Sequence, residues 1–275
     1  MRPLWLCAQQ EMLLALRSRW TQIFALVFAA LSLLVAWSGY ILTGGSGIQD
    51  FARTAASLVQ MVALLVPLMA LVGGVLALTP ERGAAELLFS QPVSRSSILL
   101  GKILGLFAAL VAAQSVGFGA AGVLVFSQSG EEGLGGFLLL VLGSAVLTAV
   151  FLGIAAVLSA AGGRKRARAV ALALVIWFAA VVLFDIAALG VASFLPSGLA
   201  SRLLIVAVLI NPVDVVRTGT LLGAQGTTAF GAASLAFFRF TGGPVNAGIL
   251  LAASAVLWIS LPPLIATIRL RRTDI

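Results

Sequence analysis

Histidine is absent from this 275-residue chain, and cysteine occurs once, at Cys7. The lack of histidine excludes HExxH zinc sites and catalytic groups that use an imidazole base. A single cysteine excludes a CxxC pair and a disulfide within the chain. The phosphate-binding sequence GxxxxGK[ST] is also missing, because Gly101 and Lys102 lack the upstream glycine and are followed by Ile103. We therefore expect neither catalysis nor ATP binding by this chain.

Charged residues make up 9% of the chain and hydrophobic residues 61%, with a mean hydropathy of +1.15. A soluble domain has about 25% charged residues. Apolar runs of about 20 residues are long enough to cross a bilayer as helices, and the short alternating segments of a β-barrel are absent. The sequence therefore predicts an all-α membrane protein with six transmembrane helices. The predicted spans are 22–42, 55–78, 103–126, 137–161, 170–195 and 246–268.

Residues 3–20 precede the first span and place several apolar side chains on one face of a helix, among them Trp5, Met12, Leu16 and Trp20. This pattern is typical of an interfacial helix that lies along the membrane surface. A frayed terminus is the alternative.

Most of the 17 cations lie on one side of the membrane when the N-terminus is placed in the cytoplasm. Because translocation of positive charge is unfavourable, both termini are predicted to be cytoplasmic. The basic run 163–168 then stops a span and does not form a nucleic-acid site, although the net charge is +8. The cytoplasmic cations are Arg2, Arg17, Arg19, Arg82, Arg95, Lys102, Arg164, Lys165, Arg166, Arg168, Arg269, Arg271 and Arg272; the others are Arg53, Arg202, Arg217 and Arg239.

The extracytoplasmic segment 196–245, between the last two spans, is moderately apolar. Its run 203–210 is too short to span and is stopped at Pro212, which predicts a re-entrant or interfacial segment. We expect a loop over 223–244 whose phenylalanines lie at the membrane interface: Phe230, Phe237, Phe238 and Phe240. A seventh and an eighth span in this segment are the alternative.

Asp185 is an ionisable residue inside a predicted span, and such residues are candidates for function. One hypothesis is a role in binding a substrate or a proton. The other is that Asp185 faces a watery vestibule or accepts hydrogen bonds from a neighbouring helix.

The segment 80–102 is polar and cytoplasmic by its charges. Glu81 and Glu86 favour a helix start, Leu87, Leu88 and Phe89 form an apolar knob, and Pro92 ends the helix. Ser94 or Ser96 can cap the helix that follows. A short helix with an exposed apolar knob favours docking into another protein, whereas a helix that rests on lipid headgroups is the alternative.

This segment resembles the cytoplasmic segment between the second and third spans of ABC-2 type permeases. The matching residues are Glu81, Arg82, Gly83, Glu86, Leu87, Leu88, Pro92, Val93, Ser94, Arg95, Gly101 and Lys102, with Ala84 where the family usually has threonine. The six spans, the N-terminal helix and the broken segment before the last span are similar too. The resemblance covers essentially the whole chain, 1–275, as a single transmembrane domain.

The resemblance implies that residues 80–100 contain a coupling helix that inserts into a cleft on a separate ATPase subunit. Two permeases would pair as a homodimer with two ATPases, which bind ATP and Mg²⁺, in the inner membrane of a bacterium. The residues expected to transmit movement from the ATPase are Glu81, Arg82, Gly83, Glu86, Leu87, Leu88, Pro92, Ser94 and Arg95.

Within the family, stretches 87–102 and 210–219 resemble permeases that serve copper-site maturation of nitrous oxide reductase in denitrifying bacteria. That resemblance implies a periplasmic β-helix partner that handles copper, and we expect it to dock at Asn211, Pro212, Asp214 and Arg217. Copper(I) prefers Cys and Met ligands, but Met61 and Met69 lie on an apolar helix, where Met usually fills the core. We therefore expect this chain to transmit mechanical work and not to conduct copper.

Two other functions remain open at this point. One is an ABC-2 exporter that moves a lipid, drug, polysaccharide or sulfur/copper species through the dimer interface. The other is an intramembrane enzyme or ion-coupled carrier, which is disfavoured because Asp185 stands almost alone in the predicted spans.

Overall fold

The computed structural model describes residues 2–43, 48–79, 94–129, 134–161 and 166–272. These residues form helices and no strand, which confirms the all-α prediction. The α-helices are α1 (Arg2–Arg17), α2 (Arg19–Thr43), α3 (Ile48–Leu78), α4 (Arg95–Ser129), α5 (Leu134–Ala161), α6 (Arg166–Phe178), α7 (Phe184–Ser193), α8 (Ser197–Ile210), α9 (Pro212–Gln225), α10 (Ala232–Thr241) and α11 (Pro244–Arg272).

Within the described ranges, six helical stretches are long and apolar enough to cross a membrane, as the sequence predicted. The fifth consists of α6, a π-helical turn at Ala179–Leu183, and α7. The candidate spans are Arg19–Ser38, Arg53–Leu78, Arg95–Phe126, Leu134–Ala160, Arg166–Ser193 and Pro244–Leu270.

The main core lies between α2, α3, α4 and α5 and consists mostly of apolar side chains. Phe28 on α2 and Phe151 on α5 are fully buried, as are Val66 and Leu71 on α3. Helix α6 joins this core through Ala169 and Ala173, whose small side chains allow close packing. The first four spans thus form a compact unit on which the rest of the chain rests.

Helix α1 packs against the beginning of α4 through two glycines. A Cβ at Gly101 would lie 2.7 Å from the Leu4 carbonyl oxygen, and a Cβ at Gly105 would lie still closer to the carbonyl oxygen of Ala8. Gly101 and Gly105 form a GxxxG pair that permits this close approach of the two helices. Glu11 on α1 forms an ion pair with Lys102 on α4 at 3.3 Å.

Helices α8 and α9 form a broken pair with a bend of 102° at Asn211. The loop predicted over 223–244 is wrong, because α10 occupies much of it. Gly226, Gly231 and Gly242, all with positive φ, separate the helices there. The run Ala232–Thr241 is helical because Phe237 is buried against Ile205, Val215, Ala247 and Leu251. Phe237 therefore does not lie at the interface, whereas Phe230 and Phe240 are exposed.

Candidate functional site

The break between α8 and α9 is organised by the side chain of Asn211. Its Oδ1 accepts a hydrogen bond from the backbone N–H of Val213 at 3.1 Å, which caps α9, and Pro212 occupies the first helical position, where a missing N–H costs nothing. Its Nδ2 donates to the Ala180 carbonyl oxygen at 2.8 Å and to Asp214 Oδ2 at 3.0 Å. One side chain thus ties the helix break to the π turn of the fifth span.

The last carbonyl groups of α8 are satisfied by side chains of α11. Ser254 Oγ donates to the Leu209 carbonyl oxygen at 2.7 Å, and Trp258 Nε1 donates to that of Ile210 at 3.0 Å. Non-helical backbone at membrane depth requires such partners, because lipid offers none. No pattern in the sequence predicts these two bonds, because the donor and the acceptor lie 45 residues apart in one bond and 48 in the other.

The depth of the break follows from its contacts. Ala180 lies near the middle of the span Arg166–Ser193, and Ser254 and Trp258 lie near the middle of Pro244–Leu270. Helix α8 begins just after the end of the fifth span. Helix α9 runs back to the beginning of α5, where a Cβ at Gly223 would lie 2.6 Å from Leu139 Cδ1. The pair therefore enters and leaves at the same end of the helix bundle, which agrees with the predicted re-entrant segment.

Three charged side chains meet beside the break. Arg217 Nη2 on α9 lies 3.0 Å from Asp185 Oδ2 on α7 and also donates to Asp214 Oδ1. The side chain of Asp214 is 4% exposed, that of Arg217 25% and that of Asp185 38%. Two carboxylates thus share one guanidinium, and Asp185 is the member that lies nearest the surface.

This cluster corrects the expectation that Asp185 stands almost alone. The second hypothesis for Asp185, hydrogen bonding to a neighbouring helix, describes its observed contact with Arg217. The signal in the sequence was the stretch Asn-Pro-Val-Asp, which is typical of a capped helix start with an acid in the first turn. That signal pointed to a local cap, but it could not identify a partner on another helix.

The four residues predicted to dock a periplasmic partner have mainly internal contacts. Asn211 and Asp214 are each 3% exposed, and Pro212 is buried. Arg217 is partly exposed and contacts both carboxylates. Docking at this position remains a prediction, and the exposed residues of α8, α9 and α10 around it would have to supply most of the contact area.

Most of the predicted coupling segment lies outside the described residues: Glu81, Arg82, Gly83, Glu86, Leu87, Leu88 and Pro92. The described part begins at Ser94, whose Oγ accepts from the backbone N–H of Ser97 at 3.3 Å and caps α4. Arg95 is the first residue of α4 and is partly buried. The segment thus connects the end of α3 with the beginning of α4, where α1 packs against α4.

A second polar group is buried between α4 and α5. Gln114 Nε2 donates to Thr148 Oγ1 at 2.9 Å, Thr148 Oγ1 donates to the Ser144 carbonyl oxygen at 2.9 Å, and Ser144 Oγ donates to Gln114 Oε1. All three residues are buried. Their hydrogen bonds are made with one another and fix the register of the two spans.

Among the residues that the structure describes, no three Cys, Asp or Glu side chains are close enough to hold a metal ion together. Met61 and Met69 are partly buried and pack against the main core. Their surroundings are those of core-filling methionines.

The whole chain matches known proteins of one family. Residues 5–275 match the model of the ABC-2 family transporter proteins. The chain is 35% identical over 264 residues to the "probable ABC transporter permease protein NosY" of Pseudomonas aeruginosa, covering 94% of both chains. It is 34% identical over 268 residues to the protein with the same description from Stutzerimonas stutzeri, covering 95% of this chain and 93% of the relative.

The chain therefore belongs to the ABC-2 transporter family, as its sequence predicted. It is a multi-pass membrane permease, and it is similar over nearly its full length to permeases described as NosY.

Proposed function

We propose that this chain is the permease subunit of an ABC transporter that serves maturation of the copper sites of nitrous oxide reductase. ATP and Mg²⁺ are bound by a separate ATPase subunit, present in two copies. The observation that carries the proposal is the similarity along 94–95% of the chain to two permeases described as NosY. The sequence resemblance in 87–102 and 210–219 supports the same assignment.

The ATPase acts on the coupling segment, with Glu81 to Arg95 as the contact. The helices on either side of this segment, α3 and α4, support this role. Helix α3 leads into it, and α4, which follows, is held to α1 by Gly101, Gly105 and the Glu11–Lys102 ion pair. A push on the segment would thus move α3, α4 and α1 together.

We propose that the chain transmits mechanical work to a periplasmic β-helix partner that handles copper, and that copper does not pass through this chain. The packing of Met61 and Met69 against the core supports this view. The partner docks on the extracytoplasmic face formed by α8, α9 and α10.

A homodimer in the bacterial inner membrane, with both termini in the cytoplasm, completes the proposal. The fifth span supports a second copy, because 11% of its residues are buried within one chain, compared with 56% in the fourth span. A face this open, which also carries Asp185, is better covered by protein than by lipid.

Reversal of one charge in the coupling segment tests the proposal. In Glu86→Lys we expect the spans to fold and the permease to reach the membrane, while ATP hydrolysis no longer supports copper loading of nitrous oxide reductase. Glu131→Lys, a matched charge reversal between the third and fourth predicted spans and therefore outside the coupling segment, should load copper normally. Equal loading by both variants, or failure of the permease to co-purify with any ATPase, would contradict the proposal.

Removal of both core thioethers tests the statement about copper. We expect the double variant Met61→Leu/Met69→Leu to load copper as the unmodified protein does, because leucine keeps the apolar packing and removes only the sulfur. The measurement is the copper content of nitrous oxide reductase with the assembled, ATP-hydrolysing complex. Loss of loading under those conditions would show that these sulfurs take part in copper passage.

An exporter of a lipid or another apolar molecule is the second candidate. A cavity of about 390 Å³ between α5, α9 and α11 supports it, lined by residues that include Leu139, Leu142, Val216, Gly219, Leu251 and Ala255. An exporter would show ATPase activity that rises with its cargo, so stimulation by a defined lipid would favour this candidate. No stimulation, together with copper loading in the Glu86 experiment, would favour the first.

A further inference from the structure

The fifth span consists of two parts that are held by different neighbours. On α6, Trp177 Nε1 donates to the Leu64 carbonyl oxygen at 2.9 Å, and Arg166 Nη2 donates to that of Leu76 at 2.7 Å. Both acceptors lie on α3, the helix that leads into the coupling segment. On α7, Asp185 is held by Arg217 of the broken pair. The π turn at Ala179–Leu183 joins the two parts.

A π turn contains one residue more than an α-helical turn, and such turns occur frequently at functional sites. If this turn converts to α-helix, the residues after it rotate by about 100° relative to those before it, which is the angle that one residue contributes to an α-helix. Asp185 is the second residue of α7. A conversion would therefore turn its carboxylate away from Arg217.

The arrangement of charges beside the break lowers the free-energy cost of separating Asp185 from Arg217. When Asp185 leaves, Arg217 keeps Asp214, which is buried and also accepts from Asn211. The guanidinium is thus not left unpaired, which is the costly outcome for a buried ion pair. Asp185, at 38% exposure, is the carboxylate best placed to regain water or another donor.

We propose that the π turn and the Asp185–Arg217 ion pair form a latch between the fifth span and the broken pair α8–α9. The latch rests on the proposed function: the ATPase moves α3 through the coupling segment, α6 follows α3, and the π turn converts to α-helix. Asp185 then rotates off Arg217, the hydrogen bond from Asn211 to the Ala180 carbonyl oxygen breaks as the turn rearranges, and α8–α9 are released to move against the extracytoplasmic partner. The contacts of Asp214 with Arg217 and with the capping residue Asn211 are kept both before and after the π turn converts.

The rotation of α7 is measured by single spin labels at residues 186, 187, 188 and 189, in the Cys7→Ser background. Residues 186, 187 and 189 are exposed, and residue 188 is half-buried. The pattern of their accessibility to oxygen therefore changes when α7 rotates, whether its open face contacts lipid or a second copy of the chain. We expect this face to shift by about 100° between the nucleotide-free complex and the vanadate-trapped complex.

Two variants, Asp185→Asn and the deletion of Val181, act on the latch in opposite ways, and two others serve as controls. Asp185→Asn weakens the ion pair, so we expect the face of α7 to be rotated by about 100° even in the permease without nucleotide. Asp185→Glu keeps the negative charge, so we expect the face of α7 to stay as in the unmodified protein. Deletion of Val181 removes the extra residue of the π turn and leaves a continuous α-helix, so the face should stay unshifted after vanadate trapping. Arg202→Gln, which removes an exposed cation from α8, is the control and should behave as the unmodified protein.

The measurement on the permease without nucleotide distinguishes a failure of the latch from a failure of the proposed function. A shift in Asp185→Asn permease alone supports the latch even if no ATPase is found, in which case the proposed function fails and the latch stands. The latch is overturned if the face of α7 is the same in the Asp185→Asn and unmodified permeases, or if vanadate trapping leaves it unchanged in an ATP-hydrolysing complex.

Discussion

At the scale of single residues, Asn211 has more contacts than its place in the sequence suggests. Its amide caps α9 and bonds the π turn and Asp214. An amide is suited to this position because it offers two donors and an acceptor at once. Aspartate would keep the cap but lose both donors and place a further carboxylate beside Asp214.

Arg217→Ala should destabilise the permease, because it leaves Asp214 buried without its cation. We expect a loss on the order of 1–3 kcal/mol, the cost of an unsatisfied buried polar group. Asp185→Asn should cost less, since Arg217 keeps Asp214. Arg202→Ala, an exposed control on α8, should stay within about 0.5 kcal/mol. Unfolding of the detergent-solubilised protein measures all three, and equal losses for Arg217 and Arg202 would show that the cluster adds no stability.

At the scale of helices, the close contact of α1 with Gly101 and Gly105 of α4, called the clasp below, shows how the absence of a side chain decides the position of a whole helix. The buried face of α1 contains Ala8, Glu11 and Ala15, whereas Trp5 is 69% exposed. The aromatic and leucine residues that predicted an interfacial helix thus point away from the protein, and the contact is made by the residues between them.

Gly105→Ala should weaken this clasp. The added Cβ would meet the Ala8 carbonyl oxygen and Glu11 Cβ, and backbone cannot move aside as a flexible side chain can. We expect a loss of about 1–3 kcal/mol, typical of overpacking, and faster proteolysis near Ser18. Gly119→Ala is the matched control on the same helix, because nothing lies within 4 Å of its Cβ position. It should be neutral or stabilising by up to about 1 kcal/mol; a loss equal to that of Gly105→Ala would refute the clasp.

At the scale of the whole molecule, the chain combines the four-span unit with two less buried spans, the fifth and the last, whereas half of α9 is buried. Half or more of the residues are buried in the second and fourth spans, but 17% in the last one. The fifth span contains the π turn and Asp185. Movement is expected first in this span, since fewer contacts have to be broken there.

The topology of the whole chain can be tested with single cysteines in the Cys7→Ser background. Thr228→Cys, between α9 and α10, should react with a membrane-impermeant maleimide added outside spheroplasts. Gln10→Cys on α1 should react only when inverted membranes are used, because α1 is expected on the cytoplasmic side. Both positions are exposed. Labelling of residue 10 from outside would overturn the proposed orientation.

The sequence alone determined the class of this protein. Long apolar runs must become helices in lipid, because each backbone group has to bond within its own segment, and this local rule needs no tertiary information. The family resemblance of 80–102 was likewise visible in the residues themselves. The break at Asn211 was partly visible, since Asn-Pro marks a capped helix start.

The tertiary structure decided which polar residues meet. Asp185 and Arg217 belong to different helices, and hydropathy assigns each helix a span without fixing its rotation or its neighbours. The helix α10, predicted as a loop, forms because Phe237 is buried against α8, α9 and α11. Contacts of this kind depend on side chains brought together from distant positions, and single-chain periodicity carries no information about them.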